Sequence, residues 1–106
     1  MILVNTETVP GYEITEVKGM VRGNIVQAKN IGKDFVASLR NVIGGEMKEY
    51  TELLTESRQM ATHRMVEKAK EMDADAVVNV RFVTSQVANG AAELLVYGTA
   101  VRLEKK

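Results

Sequence analysis

The chain has 106 residues, 45% hydrophobic and 26% charged, the mixture of one ordinary globular domain spanning 1–106 with a single core. Its 14 basic and 14 acidic side chains cancel, so no net field draws it to nucleic acid or to an anionic membrane, and neither is an expected partner. With no cysteine it can form no disulfide, no thiolate metal site and no cysteine nucleophile.

Met1 to Val4 is a short apolar run suited to an edge strand, and Pro10-Gly11 marks the turn after it. No basic stretch followed by an apolar run opens the sequence, and no window approaches ~18 consecutive apolar residues, so a cytoplasmic location is expected. From Tyr12 to Ala28 the residues alternate, with Val17, Gly19, Val21, Gly23 and Ile25 on one face and Glu16, Lys18, Arg22 and Asn24 mostly on the other. This pattern predicts a long half-buried strand. Gly19 and Gly23 leave gaps on its apolar face, where the strand bends or another element approaches closely.

Asn30 is placed to cap a helix carrying Ile31, Phe35, Val36, Leu39, Val42 and Ile43 at helical spacing, and Gly44-Gly45 supplies its stop. A second helix is predicted from about Glu46 to Met72, roughly 40 Å long at ~1.5 Å per residue. Met47, Tyr50, Leu54, Ala61, Met65, Ala69 and Met72 share one stripe on it, interrupted by Ser57 and Arg58.

After Asp73 the sequence turns to β-branched and aromatic residues, and Asn89-Gly90 signals a two-residue hairpin. If Ala88 stands opposite Ala91, strict alternation pairs Ser85 with Leu94, Val83 with Val96, Phe82 with Tyr97, Arg81 with Gly98 and Val78 with Val101. Val78, Val80, Phe82, Leu95, Tyr97, Thr99 and Val101 then form the floor beneath both helices. The other face holds Val77, Asn79, Arg81, Val83, Ser85, Leu94, Val96, Gly98 and Ala100, too apolar for open water, and a second copy of the chain is its expected cover. A domain this small buries only roughly 65% of the surface it exposes when unfolded, so a partner would also add stability. The predicted architecture is therefore α+β, a mainly antiparallel sheet in β-β-α-α-β-β order, with one short and one long helix on one face of a homo-oligomer subunit.

Chemistry-bearing groups are sparse. His63 is the only histidine and falls on the exposed side of its helix, and Glu46, Glu49, Glu52 and Glu56 alternate with lysine on a solvated face. Ser38, Ser57 and Ser85 sit in no strained turn, and no phosphate-binding glycine loop is present. No catalytic residue and no metal ligand is assigned, and no cofactor is identified. Arg81 and Asn79, with Ser85, Glu93, Arg58 and Arg64, are the candidate ligand-binding or intersubunit residues. Their two readings are capture of a small anionic or polar ligand at a subunit junction, and intersubunit hydrogen bonds and salt bridges.

Gly44-Gly45 followed by Tyr50, the run Ala74-Asp75-Ala76-Val77-Val78 and the C-terminal Gly98-Thr99-Ala100-Val101, in that order, resemble the YbjQ family of bacterial and archaeal proteins over nearly the whole chain. The resemblance implies a small α+β subunit assembled into a closed ring, a pentamer, and a heavy-metal-binding label without an assigned activity. Asp73 stands where many relatives have glycine, and Arg81, Phe82 and Val83 stand where they have acidic residues, which weakens the metal label for this chain. The expected function is a non-enzymatic, homo-oligomeric small-ligand-binding or scaffold protein. Its alternatives are metal binding, which a ring could achieve by gathering one His63 from each subunit, and an enzyme with its active site at subunit junctions.

Overall fold

The computed structural model describes the backbone of residues 1–28, 48–88 and 90–106, and the side chains of 1–27, 51–88 and 90–106. The predicted first helix over 30–43, its glycine stop and Asn89 lie outside the described residues. Strands β1 (Ile2–Leu3) and β2 (Tyr12–Ala28) precede helix α1 (Lys48–Glu71), and strands β3 (Ala76–Ala88) and β4 (Ala91–Lys105) follow it. The sheet has the order β1-β3-β4-β2. The fold is α+β, but the sheet is mixed and not mainly antiparallel, because β1 runs parallel to β3 while β4 is antiparallel to both neighbours. The chain reaches β1's place by running beside the start of β3, so Ile2 pairs with Ala76 and the Val4 N–H donates to the Val77 carbonyl.

Helix α1 lies over β2 and β4 on a stripe in which Met65 is the one large side chain. Ser57, Ala61, Met65 and Ala69 are buried at intervals of four, one turn apart. Ala61, Met65 and Ala69 meet Val21 and Ile25 of β2, Val77 of β3, and Leu94, Val96 and Ala100 of β4. The contact is closest at Gly23, where an added Cβ would overlap the Ala61 carbonyl oxygen and lie 2.6 Å from the Met65 nitrogen. Of the approaches expected at the two β2 glycines, this is the helix one. Gly19, with φ +134°, belongs to a bulge between Val17 and Gly19, and that extra residue turns the predicted apolar Val17 to the other face, where it is exposed.

The helix ends through its backbone. Asp73 takes a left-handed conformation, φ 57°; its N–H donates to the Lys70 carbonyl, and the Ala74 N–H donates to the Ala69 carbonyl. This is a Schellman stop with aspartate at the position glycine usually fills. Asp75 then fastens β3 to β4: its carboxylate accepts the Leu103 N–H at 2.8 Å and lies 3.5 Å from the Arg102 guanidinium.

The predicted hairpin register holds only at its turn. Ala88 does face Ala91, but Val87 is an extra residue, so Ser85 pairs with Glu93, Val83 with Leu95, Phe82 with Val96 and Arg81 with Tyr97. A second extra residue follows where Asn79 and Val80 both stand against Gly98, and Val78 then pairs with Thr99. Asn79 accommodates this bulge with φ 55°.

These slips overturn the predicted faces. The helix covers the side of Val77, Leu94, Val96 and Ala100, which had been expected to need a neighbour. Val78 and Val101 are buried on the opposite side, against Val9 and the partly buried Ile2, Val4, Tyr12, Ile14 and Leu103. Helix packing here selects for closeness rather than for bulk: Gly23, Ala61 and Ala69 let two backbones meet, which larger side chains would prevent.

Candidate functional site

Beyond the reach of β1, three strands continue as a distal sheet whose inner face carries α1. Arg22, Tyr97 and Arg81 form one row across it, Asn24, Leu95 and Val83 the second next to that, and Val26, Glu93 and Ser85 a further one. All three rows point away from α1, because they alternate with the buried Leu94 and Val96. Every residue from Arg81 to Ala88 is exposed, including Phe82 at 49%, Val83 at 42% and Val87 at 53%. Among the described residues no strand lies beyond β3 there, nor beyond β2 on the opposite edge.

The six candidate residues separate into different settings. Asn79 is a backbone device: it occupies the bulge, and its N–H donates to the Thr6 carbonyl at 3.0 Å. Arg81 is on the open face beside Tyr97, and its Nη1 donates to the carbonyls of Asn5 at 2.9 Å and Val80 at 3.0 Å. That arginine ties the amino-terminal segment to the start of the distal sheet. Ser85 and Glu93 are cross-strand partners on the same face, but four residues along β3 place them about 13 Å from Arg81 at ~3.3 Å per residue. Glu93 accepts a hydrogen bond from Asn24 Nδ2 at 3.2 Å.

The two helix arginines are elsewhere. Arg58 donates to the Thr55 hydroxyl one turn back at 3.1 Å, and Arg64 Nη1 donates to the Asn24 carbonyl of β2 at 2.7 Å. Arg64 thus meets the Asn24–Glu93 pair only through the β2 backbone, and Arg58 joins neither group. Ser57, which seemed to interrupt the helix stripe, belongs to it: its hydroxyl donates to the Leu53 carbonyl at 2.8 Å and accepts from Gln27 Nε2 at 3.3 Å. A serine that satisfies itself within its own helix can be buried at little cost.

A groove of about 760 Å³, not anticipated from the sequence, runs along β2 where it passes the last turns of α1. Val21 and Met72 with Lys68 and Glu71 line its helix side, and Met20, Arg22, Leu95 and Tyr97 its other side. Neighbouring β2 residues point to opposite faces, so the groove wraps the strand's edge. The signal that could have located it is Met20, an apolar residue in the polar phase of β2, 79% exposed at the rim. A smaller hollow of about 390 Å³ holds His63 with Glu56, Gln59, Met60 and Arg64 on the exposed side of α1.

For metal chemistry the donor set is poor. Among the described residues no three histidine, cysteine or acidic side chains come together, and the sequence contains no cysteine. A thiophilic ion wants four soft or borderline ligands in tetrahedral array, which the described residues do not supply. Among the described residues no helix is long and apolar enough to cross a membrane.

An α+β domain with a mixed four-stranded sheet, one long helix and no metal-ligand cluster among its described residues is the class that this geometry defines. The chain belongs to the YbjQ family, whose sequence model, described as "Putative heavy-metal-binding", matches residues 1–104. It is 58% identical over 103 residues to a UPF0145 protein of Archaeoglobus fulgidus, covering 97% of this chain and 95% of that one. A UPF0145 protein of Psychromonas ingrahamii is 53% identical over 99% of this chain and all of its own length. The fold is similar, with a TM-score of 0.54 at 17% identity and 98% coverage of both chains, to the crystal structure of a Pediococcus pentosaceus protein of unknown function from the DUF74 family. None of these relatives carries an activity in its name.

Proposed function

We propose that this chain is the subunit of a non-enzymatic homo-oligomer, a closed ring that serves as a small-ligand-binding or scaffold protein. One observation carries the reading: Gly23–Ala28 of β2 and Phe82–Ala88 of β3 flank the same stretch of β4, and among the described residues no strand pairs with their outer edges on the two opposite sides of the sheet. An open edge is a row of unpaired backbone donors and acceptors, and soluble proteins blunt such edges or pair them. Here the β3 edge is long, free of proline and carries exposed Phe82, Val83 and Val87. Pairing the β3 edge of one copy with the β2 edge of the next uses two different surfaces, the head-to-tail arrangement that generates rings when its rotation closes.

Five is the subunit number that the family resemblance implies. Native mass spectrometry tests number and bound mass together. A complex of defined multiplicity is expected, and a monomer at micromolar concentration would refute the proposal. The metal reading is not favoured, since its ligands would have to come from several subunits, with His63 alone offering a nitrogen side-chain ligand of the usual kind.

A further inference from the structure

The groove along β2 has a composition that none of the roles above explains. Its apolar lining is Met20 at the rim with Val21, Met72, Leu95 and Tyr97. Its charged groups are Arg22, Lys68 and Glu71, a net excess of one cation. Nearby lysines are already engaged: Lys70 with Glu67 at 3.6 Å and Lys18 with Glu16 at 3.2 Å. Arg22 and Lys68 make no ion pair or side-chain hydrogen bond among the described residues, so two cations stand at an apolar cleft without an anion of their own.

We infer that this groove binds a single-headed amphiphilic anion, its carboxylate held by Arg22 and Lys68 and its apolar body lying against Met20, Met72, Leu95 and Tyr97. The volume, about 760 Å³, falls in the range of small-molecule sites. Glu71 sets the selectivity: it disfavours a dianion and leaves room for one negative charge. The inference rests on the binding half of the proposed function, but the groove is built from one subunit and lies beside Gly23–Ala28 rather than within it. Binding and assembly can therefore fail separately.

The test uses the protein in its assembled form, with decanoate and 1-decanol compared as competitors of the fluorescent probe 8-anilinonaphthalene-1-sulfonate. Decanoate should displace the probe at about tenfold lower concentration than decanol, because a charge-assisted contact adds roughly that factor even when partly exposed. Lys68→Ala and Arg22→Ala should each weaken decanoate about fivefold and leave decanol unchanged. Met20→Asp, at a rim position where folding does not depend on the side chain, should weaken decanoate by a similar factor by placing a like charge at the mouth. Equal displacement by the two competitors, or unaltered decanoate binding in all three variants, would overturn the inference. Light scattering on the same samples separates the two proposals: a monomer that still prefers decanoate refutes the ring alone, and a ring indifferent to decanoate refutes the groove alone.

Discussion

Gly23 and the carbonyl oxygen of Ala61 sit so close that no side chain fits between them. This is where α1 comes closest to the β2 backbone, with the Met65 nitrogen 2.6 Å from a Cβ added at Gly23. Gly23→Ala should therefore act as overpacking against two backbones, lowering stability by about 3 kcal/mol or more. Thermal and urea melts should show the loss. Gly11→Ala is the control: an added Cβ there meets nothing within 4 Å, so only the strain of φ +86° remains, about 1 kcal/mol.

At the other end of the helix the expected change is favourable. Asp73 holds a left-handed conformation and places a negative charge near the helix C-terminus, where Lys68 and Lys70 are the better-matched residues. Asp73→Gly removes both penalties while keeping the backbone bonds of the stop. It should raise stability by about 1 kcal/mol, seen as a higher melting temperature with an unchanged urea m-value.

Asp75 and Arg102 should prove unequal although they form a pair. Asp75→Ala leaves the Leu103 N–H without its acceptor and should cost about 1–2 kcal/mol. Arg102→Ala removes a half-exposed partner 3.5 Å away and should cost less than about 1 kcal/mol, although its Nη1 also donates to the Asp73 carbonyl. Urea denaturation of both single variants and the double variant would measure their coupling.

Replacing Phe82 and Val83 together by lysine should separate assembly from folding. Both are exposed on the open part of β3, so far-UV circular dichroism and melting of the subunit should change little. Charges along the edge should block its pairing with another chain, giving a monomer by light scattering. An intact complex in this variant would move the interface elsewhere.

Strand β2, the long helix and the hairpin turn were legible because each rests on local information: alternation from Tyr12, helical spacing to Met72, and Asn89-Gly90 between β-rich runs. The faces of the hairpin were not. Their assignment depends on counting from the turn, and Val87 and Asn79 each add a residue that no pattern of polarity announces, since both extra positions read as ordinary strand. The parallel β1 was hidden for another reason: two residues pair with the distant Ala76 and Val77, a contact set by where the chain passes and not by Ile2 and Leu3 themselves. Of the candidate residues, Arg81, Ser85 and Glu93 do share a face, whereas Arg58 and Arg64 were grouped with them only because arginines in an apolar stripe draw attention. The groove went unread because Met20 among charged neighbours looks like noise until Met72 arrives beside it from far along the sequence.

The Asn79 bulge sets the phase of everything beyond it. Val77 and Phe82 are five positions apart, an odd interval that would put them on opposite sides of a regular strand, yet both lie on the helix side because one residue is absorbed at φ 55°. Deleting Asn79 would not merely shorten β3. It would roll the rest of the strand over, turning Phe82 outward with Tyr97's neighbours and swinging Arg81, Val83 and Ser85 under the sheet, so that the sign of a single backbone angle decides which chemistry this hairpin shows to the outside.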